Sequence, residues 1–150
     1  MKTTKFYQGI AKHMEKYQNK KELRACTVGE YEQAYFITIK GDFGLFIPQK
    51  DFIFDIAKIA PQGLTDFTRI ISKQNNADFA ECYEIIVQNN KQIQKLRTAD
   101  AKIECWINAD YLKYFTCPII KIVSPVDPVF IYEFGVLAGI IMPVRMPKQN

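Results

Sequence analysis

The sequence predicts a single α+β domain with a mostly antiparallel sheet and two or three helices. Its strand-like segments follow one another through short turns, which favours antiparallel pairing because parallel strands need a long crossover connection. An amphipathic helical stripe stands near the start of the chain. The 150 residues are 48% hydrophobic and 24% charged, which is typical of one folded domain and excludes a disordered or collagen-like chain.

The first helix is predicted over residues 5–17. Its apolar side chains recur at spacings of four, four and three, so they share one face of a helix. These side chains are Phe6, Ile10, Met14 and Tyr17.

Two shorter helices are predicted further along the chain. Asp51 is a suitable N-cap for a helix over residues 52–60, which Pro61 ends. Asn108 similarly caps a third helix over residues 109–115.

About eight strands are predicted from ten segments rich in β-branched and aromatic residues. The strand-like segments are residues 26–29, 33–40, 43–47, 67–72, 81–88, 92–97, 102–108, 119–123, 129–133 and 137–146. Turns are predicted at Asn89–Asn90 and at Phe134–Gly135, each joining two of these segments.

The positive charge of the chain is concentrated at its start. Residues 1–24 carry seven lysine or arginine side chains and two glutamates, whereas the whole chain has a net charge of +4. The remainder is therefore slightly acidic, and the opening segment is the part suited to an anionic partner.

The cysteines and apolar runs indicate a cytoplasmic protein without a structural metal. No Cys-x-x-Cys pair is present and His13 is the single histidine, which leaves no zinc site of the usual spacing. The longest apolar run, residues 134–144, is too short to span a bilayer as a helix, and we expect no secretory signal. We therefore expect reduced, mostly buried cysteines, no cofactor and no membrane partner.

No catalytic constellation stands out, and we expect a protein that is not an enzyme. Residues 42–44 match a protein-kinase tripeptide, but the chain has no glycine-rich loop and is too short for a kinase. Residues 125–127 begin like a metal-dependent nuclease motif, but the acid-x-Lys pair that should follow is absent. The glutamates at 30 and 32 are more typical of a solvated strand surface than of acid–base catalysis.

A series of motifs in the last third of the chain carries a family resemblance. Asn-x-x-Tyr-Leu begins a short helix, a strand and a Ser-x-x-x-Pro-type turn follow, and Met-Pro-x-Arg-hydrophobic comes last. The residues that match are Asn108, Tyr111, Leu112, Ser124, Val126, Pro128, Met142, Pro143, Arg145 and Met146. In this order, they resemble the end of the bacterial DNA polymerase III sliding clamp (β subunit). Residues 44–59 are similar to the strand–proline–helix element of clamp domains.

The resemblance implies one DNA-clamp-like domain over residues 1–150, closest to the C-terminal domain of the family. In that family, helices present lysine and arginine to DNA phosphates, a contact that is independent of base sequence. The matching DNA-binding candidates here are Lys12, Lys16, Lys20, Lys21, Arg24 and Lys113.

The resemblance also implies a hydrophobic groove for short peptides of replication or repair proteins. Methionine and aliphatic walls adapt to varied ligands, and an arginine at the rim can orient a carboxylate or a carbonyl. The candidates are Val126, Pro128, Met142, Pro143, Val144, Arg145 and Met146. In the family, the other wall of the groove comes from a neighbouring domain.

Two functions follow from the resemblance. The first is a sliding-clamp-like processivity factor of DNA replication or repair, of a kind that a phage or mobile element could encode. Family chains have three clamp domains and this one has room for one, so encircling duplex DNA would require a homo-oligomer. The alternative is a stand-alone interaction or regulatory module that keeps the clamp-like fold without encircling DNA. A small metal-dependent nuclease is a third and weaker hypothesis.

Overall fold

The computed structural model describes residues 1–17 and 26–146, with the side chains of Lys16 and Tyr17 excluded. In these stretches the chain forms nine strands: β1 Thr27–Tyr31, β2 Ala34–Thr38, β3 Phe43–Pro48, β4 Asp78–Gln88, β5 Lys91–Thr98, β6 Glu104–Asn108, β7 Ile119–Ile122, β8 Val129–Glu133 and β9 Val136–Ile141. The helices there are α1 Thr3–Tyr17, α2 Ile56–Ile59 and α3 Thr68–Ser72, with 3-10 helices at Gln49–Asp51, Lys73–Asn76 and Ala109–Tyr114. None of these helices combines the length and apolar character needed to cross a membrane.

The strands form one sheet in the order β1-β2-β3-β9-β8-β7-β4-β5-β6. Every neighbouring pair is antiparallel, which confirms the predicted α+β class with an antiparallel sheet. The sheet consists of three successive three-stranded meanders, with the last one, β7–β9, inserted between the first two. Two pairings, β3 with β9 and β4 with β7, join the meanders.

The sheet curls so that its edge strand β6 approaches the end of the central strand β9. The backbone N–H of Met142, just after β9, donates to the carbonyl of Asp42 at 2.8 Å. Two residues later, the N–H of Val144 donates to the carbonyl of Trp106 in β6 at 2.7 Å. The segment after β9 thus bridges β3 and β6.

Both faces of the central strands are buried, each in its own core. One core joins Leu96 and Ile107 of β5 and β6 to Leu45 of β3, and α1 packs into it through Phe6 and Ile10. The core on the other face is smaller and is covered by α3; it contains Phe36, Phe46, Ile71, Phe130, Leu137 and Ile140.

Most elements agree with the sequence prediction. Helix α1 has the predicted apolar face, with Phe6 and Ile10 buried. Asn108 caps the 3-10 helix Ala109–Tyr114, since its Oδ1 accepts from the backbone N–H of Asp110 at 3.0 Å. Asn89 and Asn90 both have positive φ, as a tight hairpin turn between β4 and β5 requires.

The prediction of a strand over residues 67–72 is wrong, because this segment forms α3. The Oδ1 of Asp66 accepts from the N–H of Thr68 at 2.9 Å, and Ile71 turns into the smaller core at 4% exposure. The adjacent β-branched residues favour a strand locally, but the turn that Asp66 closes before α3 and the contact of Ile71 with the core favour a helix.

The predicted helix over residues 52–60 is also wrong in its first half, and Asp51 is not its N-cap. Residues up to 51 form a 3-10 turn, and α2 begins only at Ile56, with Asp55 as its cap. Phe52 packs against the rings of Tyr7 and Tyr35, with centroids 6.0 and 5.4 Å apart. These ring contacts keep residues 52–55, which lie between the 3-10 turn and α2, outside a helix.

The predicted strand over residues 137–146 ends early, at Ile141. Pro143 has no N–H with which to continue a strand ladder, and the next donor, Val144, bonds to β6 instead of β3. The last five residues of that prediction therefore form an irregular bridge.

The four cysteines are free thiols, but only two of them are buried as expected. Cys26 and Cys105 lie in the larger core, where burial raises the pKa of Cys26 to about 11 and that of Cys105 to about 12. Cys82 and Cys117 are exposed, which corrects the prediction for these two.

Candidate functional site

Helix α1 lies beside the 3-10 helix Ala109–Tyr114, hereafter the 109–114 helix. The backbone N–H of Lys2 donates to the carbonyl of Tyr114 at 2.7 Å, and Lys5 Nζ lies 5.8 Å from the centroid of the Tyr114 ring. Since α1 buries its apolar face in the core, Lys5 and Lys12 are left on the outside.

The lysines of these two helices form the first part of the candidate site, which we call the lysine surface. It consists of Lys2 just before α1, Lys5 and Lys12 on α1, and Lys113 on the 109–114 helix, all exposed. Lys113 pairs with Asp110 of its own helix at 2.9 Å, in a geometry open to solvent. Such an exposed pair contributes little and can exchange for another anion.

Of the six DNA-binding candidates, the structure places Lys12 and Lys113 on this surface. Lys20, Lys21, Arg24 and the side chain of Lys16 lie outside the described residues. Lys2 and Lys5 lie on this surface but are not among the six candidates, although the position of Lys5 on the polar side of the apolar stripe could have identified it.

A cavity of about 420 Å³ opens between α1, the β2–β3 turn and the 109–114 helix. We call it the helix cavity. Its walls are aromatic and aliphatic, while Lys12, His13 and Lys40 stand among the lining residues. Sequence reasoning missed this cavity, because its walls come from segments far apart along the chain.

Tyr111 and Asp42 form a polar pair at the edge of the helix cavity. Tyr111 Oη donates to Asp42 Oδ2 at 2.5 Å, and its ring stacks on Phe43 with centroids 4.5 Å apart. Burial and the Asp42 carboxylate both raise the pKa of Tyr111, so the hydroxyl remains a proton donor. The pair thereby fixes the 109–114 helix against the turn before β3.

The segment after β9 lines a second cavity, of about 370 Å³, which we call the tail cavity. One wall is formed by four of the seven peptide-binding candidates: Met142, Pro143, Val144 and Arg145. The opposite wall is formed by the β4–β5 hairpin and the end of β6, through Gln88, Asn89, Lys91, Ile93 and Asn108. Tyr111 and Asp42 line this cavity too, so they separate it from the helix cavity.

The wall from the β4–β5 hairpin was missed by sequence reasoning, which expected the second wall to come from another domain. Gln88 is its most unusual member, because its Oε1 is buried and accepts no hydrogen bond from the residues that the structure describes. Leaving such an acceptor unpaired costs about 1–3 kcal/mol. A ligand that supplies an N–H to a reoriented Gln88 amide would recover part of that free energy.

Three peptide-binding candidates do not line the tail cavity. Val126 is 65% exposed on the β7–β8 turn, whereas Pro128 is buried. That turn is fixed by Asp127, which pairs with Lys73 at 2.8 Å and accepts from Ser124 Oγ; both contacts lower the pKa of Asp127. Met146 is partly buried outside the cavity.

A metal centre is not supported by the described part of the chain. No group of three or more histidine, cysteine, aspartate or glutamate side chains is arranged there to hold an ion. What the described arrangement offers is binding: exposed lysines for anions, a mostly apolar helix cavity, and a tail cavity of mixed polar and apolar lining.

Searches against protein-family models, curated proteins and solved structures found no match for this chain. The sliding-clamp resemblance therefore depends on the motif residues quoted for it. Five of these residues line the tail cavity, although two of them are distant from the other three in sequence: Asn108 and Tyr111, and Met142, Pro143 and Arg145.

Proposed function

We propose that the protein is a cytoplasmic, non-enzymatic, sliding-clamp-like protein of DNA replication or repair. It binds duplex DNA as a homo-oligomer and docks short peptides of its partner proteins. The observation that carries the DNA-binding part is the lysine surface, where two adjacent helices expose lysines while their apolar faces pack inward. Because phosphate contacts carry no sequence information, such a surface would bind duplexes of any base sequence equally well.

A charge-reversal variant of the lysine surface is expected to bind duplex DNA at least about tenfold more weakly at low salt. The variant carries Lys5→Glu, Lys12→Glu and Lys113→Glu. Each lost phosphate contact should also reduce the slope of log K against log[salt] by about one. Fluorescence anisotropy with a duplex of random sequence, at several salt concentrations, measures both quantities.

The matched control reverses three exposed lysines elsewhere: Lys50→Glu, Lys58→Glu and Lys102→Glu. It changes the net charge by the same amount, so it separates a defined surface from a general charge effect. Equal loss of affinity in both variants would contradict the assignment of the surface. Absence of salt-dependent binding by the unchanged protein would contradict DNA binding itself.

Peptide docking is proposed at the tail cavity, where apolar Met142 and Val144 stand beside the exposed Arg145. For a clamp-binding peptide, we expect Met142→Ala and Arg145→Ala each to weaken binding about tenfold, as central apolar and arginine contacts commonly do. Val136→Ala, a change at a 66% exposed position outside the cavity, should leave affinity unchanged. Titration calorimetry measures these affinities. Undetectable peptide binding by the unchanged protein and by all three variants would contradict peptide docking at the tail cavity.

The second candidate is a stand-alone interaction or regulatory module that does not encircle DNA. It is favoured by the tail cavity, because both of its walls belong to one chain and a peptide site would be complete without a second domain. Mass measurement in solution discriminates between the two functions. A defined ring-compatible oligomer supports the clamp, whereas a strict monomer that binds the peptide supports the module.

A further inference from the structure

Strand β4 has an open edge along its second half. β5 pairs with β4 from Ala80 to Gln88, interrupted by a bulge, whereas β7 pairs with it only through Asp78–Ala80. On the side away from β5, no strand in the described part of the chain pairs with residues 84–88. The backbone groups that point to that side are therefore available to another strand.

The open edge also carries exposed apolar side chains. Ile85 is 53% exposed and Val87 is 73% exposed, and both project from the same face of the strand. Natural edge strands are usually protected by lysine, by proline or by their short length. Residues 82–88 contain neither lysine nor proline. An edge with this composition is suited to pairing.

A β-bulge marks where the regular part of the edge begins. The register shifts between Cys82 and Ile85, and the side chain of Gln94 donates to the carbonyls of Tyr83 and Glu84 at 3.1 and 3.2 Å. Because Gln94 is 6% exposed, this bulge is fixed from inside the protein. Beyond it, residues 85–88 form a regular edge about 13 Å long, and Glu84 stands at its bulged end.

We propose that this edge pairs antiparallel with the same edge of a second copy of the chain. A two-fold axis at Ile86 places Ile85 of each copy opposite Val87 of the other copy. Ile86 then lies opposite Ile86 of the other copy. Glu84 then faces Gln88 of the other copy, whose amide can donate to the carboxylate.

This register is self-complementary in both shape and charge. Aliphatic side chains face aliphatic side chains, and the one charged residue of the segment never faces its own copy. A strand from another protein would need apolar residues opposite Ile85 and Val87 on one face and a residue compatible with Glu84 on the other. The β4 strand of a second copy already has both features. A second copy of the chain is therefore the occupant that fits.

The pairing gives a dimer, since a two-fold interface uses the same edge of both chains and closes on itself. It supplies a surface for the self-association included in the proposed function, but it does not by itself make a ring. A pairing this short belongs to the weak class of interfaces, so the dimer should depend on protein concentration.

The test is sedimentation analysis of the DNA-free protein over a range of concentrations. The unchanged protein should show a monomer–dimer equilibrium, and Val87→Asp should raise the dimer dissociation constant at least about tenfold, because it places a charge against Ile85. Val136→Asp, at a position of similar exposure on β9, should dimerise like the unchanged protein. A chain that stays monomeric, or a Val87→Asp variant that dimerises normally, overturns the proposal.

Disulfide cross-linking tests the register, in a Cys82→Ser, Cys117→Ser background that removes the exposed thiols. Facing residues of an antiparallel pair lie within disulfide range, so Ile86→Cys should link two copies when oxidised glutathione takes up the two electrons and two protons of the thiols. Ile85→Cys should link far more slowly, because Val87 faces it. Equal rates for the two variants overturn the register. Sedimentation and cross-linking are both measured without DNA. If the lysine-surface variants showed no loss of DNA binding, these two results would therefore be unaffected.

Discussion

Replacing Phe6 with alanine is expected to lower the free energy of unfolding by about 3–5 kcal/mol. Phe6 is 2% exposed, and its ring makes edge-to-face contacts with Phe43 and Tyr114, at centroid distances of 6.0 Å. It therefore connects α1 to both the sheet and the 109–114 helix. The loss combines a core cavity with two missing ring contacts.

Urea denaturation measures this effect, with Gln8→Ala as the control on the exposed side of the same helix. The control should change stability by no more than about 0.5 kcal/mol, because it removes no core contact. A Phe6→Ala variant as stable as the control would mean that α1 does not pack into the larger core as described. Since α1 carries Lys5 and Lys12 of the lysine surface, the variant should also bind DNA less tightly.

Replacing Gly139 with valine is expected to destabilise the protein by about 3 kcal/mol, through overpacking. A Cβ at this position would lie 2.5 Å from Cζ of Phe115 and 3.1 Å from the carbonyl oxygen of Gly44. Phe115 is 4% exposed, and Gly44 belongs to the backbone of β3. Neither group can move without disturbing the core or the β3–β9 pairing.

Gly9→Ala is the control for this prediction. A Cβ there would contact only the Cδ1 end of Ile39, at 3.1 Å, and alanine favours the helix by about 1 kcal/mol relative to glycine. This variant should therefore have equal or greater thermal stability. The second arm combines Gly139→Val with Phe115→Leu, which should recover part of the loss because the smaller side chain vacates the contact. An undiminished melting temperature for Gly139→Val alone would contradict the close approach of Phe115.

The elements that sequence predicts correctly are those determined by local pattern. Phe6 and Ile10 recur at helical spacing, and the Asn89–Asn90 pair accepts the positive φ of a tight turn. The errors arise where distant contacts decide. The segment 67–72 resembles a strand until its contact with the smaller core and the turn at Asp66 are known, and Phe52 is held by rings from α1 and β2.

The candidate site divides in the same way. Exposed lysines such as Lys12 and Lys113 follow from helical pattern and capping. The tail cavity does not, because its second wall exists only when the sheet curls and brings the β4–β5 hairpin to Met142. The pairing of Tyr111 with Asp42 joins residues 69 positions apart, and no local signal indicates it.

The three-meander arrangement of the sheet has a consequence for the rate at which the chain folds. Within each meander the strand partners are neighbours in sequence, so hairpins can form rapidly at a small loop-closure entropy. The β3–β9 pairing instead joins residues up to 98 positions apart, such as Phe43 and Ile141, and therefore bears the largest closure entropy of the strand pairings. Formation of this ladder, which contains Gly44 and Gly139, is therefore expected to be the slow step of folding.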